Sequence, residues 1–219
     1  MGSRERLIKA MGDLMWERGF AATTPREVRE RAGVGQGSMY YHFPTKRDLG
    51  VAAIERNCAD VTTAADAVLN GSAAPLERLR AYLLRPRDAL KGCKVGRMTQ
   101  DPVVAHDPDL LAPVARSVST VHEDLARTIR EAIDAGDLPV SLDADRLARL
   151  CFATIQGGYV LALAAQDPAP FDQACSGLLD LLDSAAERRP GAPEESAASP
   201  IIHRPGPAGP GVVAAGPAA

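Results

Sequence analysis

Between Gly19 and Asp48 the chain carries two helix starts and two helix stops, and their spacing leaves room only for short helices. In Thr24-Pro25-Arg26-Glu27 the Thr hydroxyl can accept from the third amide of a helix. Pro occupies a first turn that needs no N–H, and Glu27 can reach back to close a capping box. Thr45-Lys46-Arg47-Asp48 repeats that logic, while Gly33 after Ala32 and Pro44 after Phe43 end the segments in between. The pattern predicts a helix opening at Thr24 and ending at Ala32-Gly33, then a helix from Gly35 or Gln36 to about Phe43. Two short helices joined by a Gly turn make a helix-turn-helix arrangement.

Elsewhere apolar residues recur at three- and four-residue spacing, without the alternation of strands, so the predicted fold class is all-α. A first helix runs from about Arg4 to Arg18, with Leu7, Met11, Leu14 and Met15 on one face and Gly19 as its stop. The Thr45 box opens a long helix through Leu49, Ala53 and Ile54 towards Leu69, closed by Asn70-Gly71. Further helices are expected at about 75–90, 97–106, 109–135, 143–166 and 170–188. The expected organisation is an N-terminal domain over 1–46, a helical body over 47–188, and a tail over 189–219. From Pro190 to Ala219 there are seven Pro and five Gly with almost no large apolar side chain, a composition that does not repay its ordering entropy. The tail is therefore expected to be disordered, with Ile201-Ile202-His203-Arg204 as its one candidate partner-binding peptide.

Composition excludes several function classes. Four cysteines (Cys58, Cys93, Cys151, Cys175) are spread without a close pair, so neither a disulfide framework nor a zinc pair is suggested. The N-terminus lacks the apolar run of a signal peptide, and the longest later apolar stretch, Tyr159 to Ala165, is short for a bilayer span. A soluble, cytoplasmic protein with no membrane partner is expected. No Ser-nucleophile elbow and no His-Glu-x-x-His occurs, and the histidines are scattered at 42, 106, 122 and 203. The expectation is no enzyme, no catalytic residue, no metal and no cofactor. Gly33-Val34-Gly35-Gln36-Gly37 is no dinucleotide fingerprint, because Ser38 stands where the third Gly belongs and a helix precedes it. Charge is lopsided. Residues 1–50 hold nine Lys or Arg against six Asp or Glu, giving +3, and the rest holds 16 against 22, giving −6. A basic head on an acidic body suits a chain of which one end approaches a polyanion.

In the third helix, Val34, Met39 and Phe43 have the size and spacing to face the core. Gln36, Ser38, Tyr40, Tyr41 and His42 are left for the other side. Gln can pair with a base edge, Ser and Tyr hydroxyls can reach phosphates or bases, and a helix N-terminus suits an anionic backbone. The stretch from Thr24 to Leu49, preceded by Gly19-Phe20, resembles the DNA-binding domain of the TetR family. The shared pattern is a Thr-capped helix, Ala32-Gly33-Val34, Tyr40-Tyr41-His42-Phe43, and Lys46 at the start of the next helix. The resemblance implies that Thr24 and Arg26 meet the DNA backbone or groove edge. Gln36, Gly37, Ser38, Tyr40, Tyr41, His42 and Lys46 would form the recognition surface, with Lys46 as a phosphate clamp.

The body resembles the LmrA/YxaF-like subgroup of the same family in Gly92-Cys93-Lys94-Val95-Gly96, in Gln156-Gly157-Gly158-Tyr159 and in the Asp167-Pro168 turn. Lys94 departs from a usually uncharged position. The resemblance implies a homodimer on double-stranded operator DNA and a mostly apolar cavity for a small effector. Met98, His122, Phe152, Gln156 and Tyr159 are the effector-binding candidates. Core packing for Met98, a solvated or packing role for His122 and an interhelical hydrogen bond for Gln156 are the alternatives. Helix 143–166 is apolar nearly all round from Leu150 to Ala165, and helix 170–188 carries a stripe at alternating four- and three-residue steps. Leu150, Phe171, Leu178 and Leu182 are the candidate dimer residues, with intrachain core as the other reading of Leu178 and Leu182. Cys93, with Lys91 and Lys94 nearby, is either an inert thiol or a redox or electrophile sensor. The expected function is a sequence-specific transcriptional regulator, a repressor released from a palindromic operator by a small molecule. The alternatives are a ligand-independent DNA-binding protein or an activator of the same fold.

Overall fold

The computed structural model describes residues 1–187, so the expectations for the tail over 189–219 lie outside the described residues. Among the described residues the chain is all-α: α1 (Ser3–Arg18), α2 (Pro25–Ala32), α3 (Gln36–His42), α4 (Lys46–Leu69), α5 (Pro75–Leu84), α6 (Pro102–His106), α7 (Pro108–Asp134), α8 (Ala144–Ala165) and α9 (Ala169–Glu187). A 3₁₀ turn at Gly96–Gln100 precedes α6.

Both expected capping boxes form. Thr24 accepts from the Glu27 amide and Glu27 returns to the Thr24 N–H, and Thr45 and Asp48 do the same for α4. Each box satisfies amides that the first helical turn otherwise leaves unpaired.

Two helices differ from expectation, and proline is the reason in both cases. The helix foreseen over 75–90 ends at Leu84, because Pro86 drives Arg85 out of the helical region to φ −56°, ψ 141°. The helix foreseen over 97–106 is divided at Asp101, extended at φ −78°, ψ 121° ahead of Pro102. The chain between α5 and α6 therefore runs as a loop across the molecule.

Apolar side chains gather in two clusters. The lower holds Leu7, Met11, Met15, Val28, Met39 and Leu49 from α1 to α4, joined by Val95, Met98, Val104, Leu110 and Val114. The upper holds Ala65 and Leu69 of α4, Leu79 and Leu83 of α5, Leu125 and Ile129 of α7, and the inner faces of α8 and α9. Helices α4 and α7 pack along each other and enter both clusters, with Val61 touching the two. At the far end of α4 the Leu69 carbonyl accepts from Arg78 at 2.6 Å and from buried Thr128 at 3.2 Å, so a helix terminus that enters the core keeps its acceptor satisfied.

Helix α8 is long and apolar enough to cross a bilayer by length and composition, which the stretch from Tyr159 to Ala165 taken alone does not register. One of its faces, with Leu147, Ala148, Cys151, Ile155, Gly158 and Ala162, is buried, and α8 packs against α7 and α9.

Gly50, on α4, faces the Phe20 ring. A Cβ there would lie 2.4 Å from Phe20 Cε2 and 3.3 Å from Leu110 Cδ2. Gly50→Ala is expected to destabilise the protein by about 1–3 kcal/mol in urea unfolding, the usual cost of overpacking. Gly37→Ala, where nothing lies within 4 Å, should instead be neutral or gain about 0.5–1 kcal/mol from helix propensity.

Candidate nucleic-acid interface and ligand cavity

The turn between α2 and α3 closes on Gly33, whose φ of 60° is left-handed. The Val34 N–H donates to the Arg29 carbonyl at 3.1 Å and the Gly33 N–H to the Glu30 carbonyl at 3.3 Å, which satisfies two of the carbonyls in the last turn of α2. Val34, Met39 and Phe43 are then buried beneath α3. With those three inside, Gln36, Gly37, Tyr40 and Tyr41 are exposed, and Ser38 and His42 are half-buried. Tyr41 is 84% exposed, and its ring meets His42 edge-on at 5.2 Å. One face of a seven-residue helix thus presents an amide, a hydroxyl, two phenols and an imidazole to solvent.

The flanking candidates are already engaged within the chain. The Thr24 hydroxyl caps α2, and Arg26 pairs with Glu30 at 2.7 Å between exposed side chains, a contact that a phosphate can displace at little cost. Lys46 donates to the Phe20 carbonyl at 2.8 Å with its ammonium 4.3 Å above the Phe20 ring, and burial pulls its pKa below the usual lysine range. It fastens the start of α4 to the turn between α1 and α2, with donors to spare.

A cavity of about 320 Å³ opens beside α4, α7, α8 and the loop after α5. Phe152, Gln156 and Tyr159 line it, together with Trp16, Tyr82, Arg85, Arg87 and Lys94. Gly96 lets the loop come close to Gln156, since a Cβ there would sit 2.2 Å from Gln156 Oε1. The Tyr159 ring tilts onto Phe171 at 4.8 Å, and burial pushes its phenol up to about 12, so the hydroxyl stays neutral.

Two effector candidates stand elsewhere. Met98 is 1% exposed in the lower cluster. His122 lines a separate groove with Arg149 and Thr99, its Nε2 lying 3.4 Å from the Asp145 carboxylate. Periodicity shows that a residue faces inward without showing which of two interiors it meets. The helix expected over 75–90 hides the cationic lining, because it runs through Arg85-Pro86-Arg87-Asp88, although Pro86 signals a break.

The dimer candidates also need correction. Phe171, Leu178 and Leu182 are 3%, 6% and 4% exposed, inside the chain's own upper cluster, because α9 turns that stripe onto α8 and α5. Leu150 is exposed, in company with Val160, Leu161 and Leu163 on α8 and Leu181 on α9.

Polar ties join the body to the N-terminal helices and their turns. Trp16 Nε1 donates to the Gly92 carbonyl at 3.0 Å. Buried Asp101 accepts from the Ala21 N–H at 2.9 Å while capping α6 through Val103 and Val104. Arg47 pairs with Asp107, the cap of α7, and with Asp109. The Arg47 guanidinium is the main reason the Asp107 carboxyl is held down to about 2.

Residues 7–53 match the sequence profile of bacterial regulatory proteins of the tetR family, and residues 74–178 match that of a tetracyclin repressor-like C-terminal domain. The chain is 30% identical over 175 residues to the transcriptional regulator AcuR of Cereibacter sphaeroides, covering 77% of this chain and 80% of that one. It is 25% identical over 188 residues to the transcriptional regulator LmrA of Bacillus subtilis, covering 82% and 96%. The crystal structure of a regulatory protein TetR from Rhodobacter sphaeroides superposes with a TM-score of 0.72 at 28% identity, covering 80% of this chain and 96% of that one.

The thiols separate by burial. Cys58, Cys151 and Cys175 are buried, and desolvation raises all three, Cys58 to about 11 and Cys151 to about 12, whereas Cys93 is partly exposed. A thiol reagent at mildly alkaline pH is expected to label the native protein once, at Cys93, and to reach the other three only after unfolding, as peptide mass spectrometry would show.

Proposed function

Because the chain belongs to the TetR family and is a DNA-binding transcriptional regulator, we propose that it is a homodimeric repressor. In this reading α3 reads a palindromic operator, and a small molecule entering the cavity beside Gln156 and Tyr159 releases it. The observation that carries the proposal is the division of α3 and its two flanks into a buried anchor of Val34, Met39 and Phe43 and a solvent face of Gln36, Tyr40 and Tyr41. Such a helix is held rigidly from behind while its polar face is free to enter a major groove. Thr24, Arg26 and Lys46, with Gly37, Ser38 and His42, complete the proposed surface. A regulator of DNA works in the cytoplasm of a bacterium, where the DNA is.

Two heads joined in one particle convert weak half-site binding into useful affinity, provided that their separation matches about one DNA turn, roughly 34–36 Å. The exposed apolar positions on α8 and α9 are the proposed subunit contact. Release follows if a ligand prefers one arrangement of the cavity wall over another. Trp16 and the loop holding Gly92 form part of that wall and are hydrogen-bonded to each other, and Asp101 holds the turn before α2. A displaced wall would therefore move α1 and the turn that supports α3.

Titration onto DNA from upstream of the gene and its neighbours, against a scrambled duplex at two salt concentrations, tests the reading. Tight binding that discriminates against the scramble and weakens with salt is expected. Tyr41→Ala and Gln36→Ala should each weaken the specific complex by about 10-fold, within the range of about 1–3 kcal/mol for a base contact, without shifting the unfolding midpoint. Equal, weak binding to both duplexes, together with a random-oligonucleotide selection that enriches nothing, would sink it. For the assembly, sedimentation equilibrium should find a dimer that Leu161→Glu converts to folded monomers, and operator affinity should fall with it.

A further inference from the structure

Taking the cavity as the effector site, as proposed above, we infer that its ligand is a small monocarboxylate with an apolar body, its carboxylate received by the guanidinium of Arg85 beside that of Arg87. Five charged side chains line the cavity. Lys94 and Asp60 neutralise one another at 3.3 Å. The Asp88 carboxylate accepts the Lys91 N–H at 3.2 Å and so is engaged by the turn it begins. Two guanidiniums remain, and neither forms an ion pair with an acid among the described residues.

They differ in how they are held. Arg87 donates to the carbonyls of Tyr82, Leu83 and Arg85, which locks it onto the C-terminal end of α5. Those contacts fix its position and leave its positive charge without a carboxylate. Among the described residues the Arg85 guanidinium meets only the face of the Tyr82 ring, 5.1 Å from its carbon, and its Nε is shielded from solvent with no acceptor. A buried donor without a partner is costly, and a site that keeps one is suited to an acceptor brought by a ligand. The two cations also disfavour one another: burial and then the neighbouring Arg85 charge pull the Arg87 pKa down. An arriving anion relieves that repulsion.

A carboxylate offers two coplanar oxygens to the planar donor fork of an arginine, which a neutral amide or an ammonium does not. Beside the polar Ser117 and Gln156, much of the remaining wall is apolar or aromatic, with Val118, Val121, Phe152 and Ile155, so one charged group and a short hydrocarbon or aromatic body match it. A volume of about 320 Å³ is at the low end for small-molecule sites.

Trp16 is the only tryptophan of the chain and lines the cavity, so its emission reports occupancy without any DNA. The full chain is titrated with benzoate, phenylacetate and the straight-chain acids from propionate to octanoate, and then with the matched primary amides and amines. At least one acid should bind about 10-fold or more tightly than its amide, and amines should bind more weakly still. Arg85→Gln should erase the preference for the acid, while Arg85→Lys, which keeps the charge, should retain part of it. Equal binding of acids and amides, a preference for amines, or no acid binding at about 10 mM, a concentration at which even a weak millimolar site fills, overturns the inference. The comparison on the unaltered chain decides the matter even if a variant unfolds. Operator binding is read separately, so a failed DNA titration and a failed acid titration are distinguishable.

Discussion

The packing of α4 along α7 is the contact on which the other parts of the structure depend. Each helix buries residues in both apolar clusters: Leu49, Ile54, Ala65 and Leu69 on α4, and Leu110, Val114, Leu125 and Ile129 on α7. A fully buried Leu or Ile contributes about 1.5–3 kcal/mol, so the seam is a large share of what holds either cluster together. The consequence is mechanical. The small N-terminal helices finish their core with side chains from Val95, Met98, Val104 and Leu110, and so cannot tilt independently of the body.

The loop between α5 and α6 is the second structural constraint. Pro86 and Pro102 prevent a continuous helix, and the freed backbone and side chains are spent on polar ties instead. Arg87 covers the carbonyl end of α5, Trp16 reaches Gly92, and Asp101 serves α6 and Ala21 at once. Gly19, at φ 87° and with a Cβ position only 2.7 Å from Asp101 Oδ2, is needed for that last contact on both steric and conformational grounds. The segment that walls the cavity is therefore also the segment that touches α1, which makes the proposed coupling a matter of short, direct contacts.

Among the described residues, two helical faces that this packing leaves open differ in chemistry. The outer face of α3 is polar and aromatic, as suits a hydrated groove of a polyanion. The outer faces of α8 and α9 carry Leu150, Val160, Leu161 and Leu181, as suits a second copy of the chain. In the upper cluster the Cys151 and Cys175 thiols and the adjoining Tyr159 phenol are kept neutral by desolvation and add no charge to it.

Much of this was legible from residues alone. Helix starts and stops were, because a capping box, a left-handed glycine or a proline acts on the few residues around it: Thr24, Gly33 and Thr45 each do what their local chemistry requires. The polar face of α3 was also legible, since burying Met39 and Phe43 one turn apart determines what is left outside. Only tertiary structure decided which apolar stripes stay open and which residues share a cavity. Phe171, Leu178 and Leu182 form as good a stripe as any dimer face, yet α9 rotates them inward, and Met98, fully buried, and Tyr159, half-buried, belong to different interiors. Periodicity specifies a face; what covers it depends on how distant helices cross. The pairing of Arg85 and Arg87 beside Tyr159, some seventy residues away in the chain, is a product of that crossing.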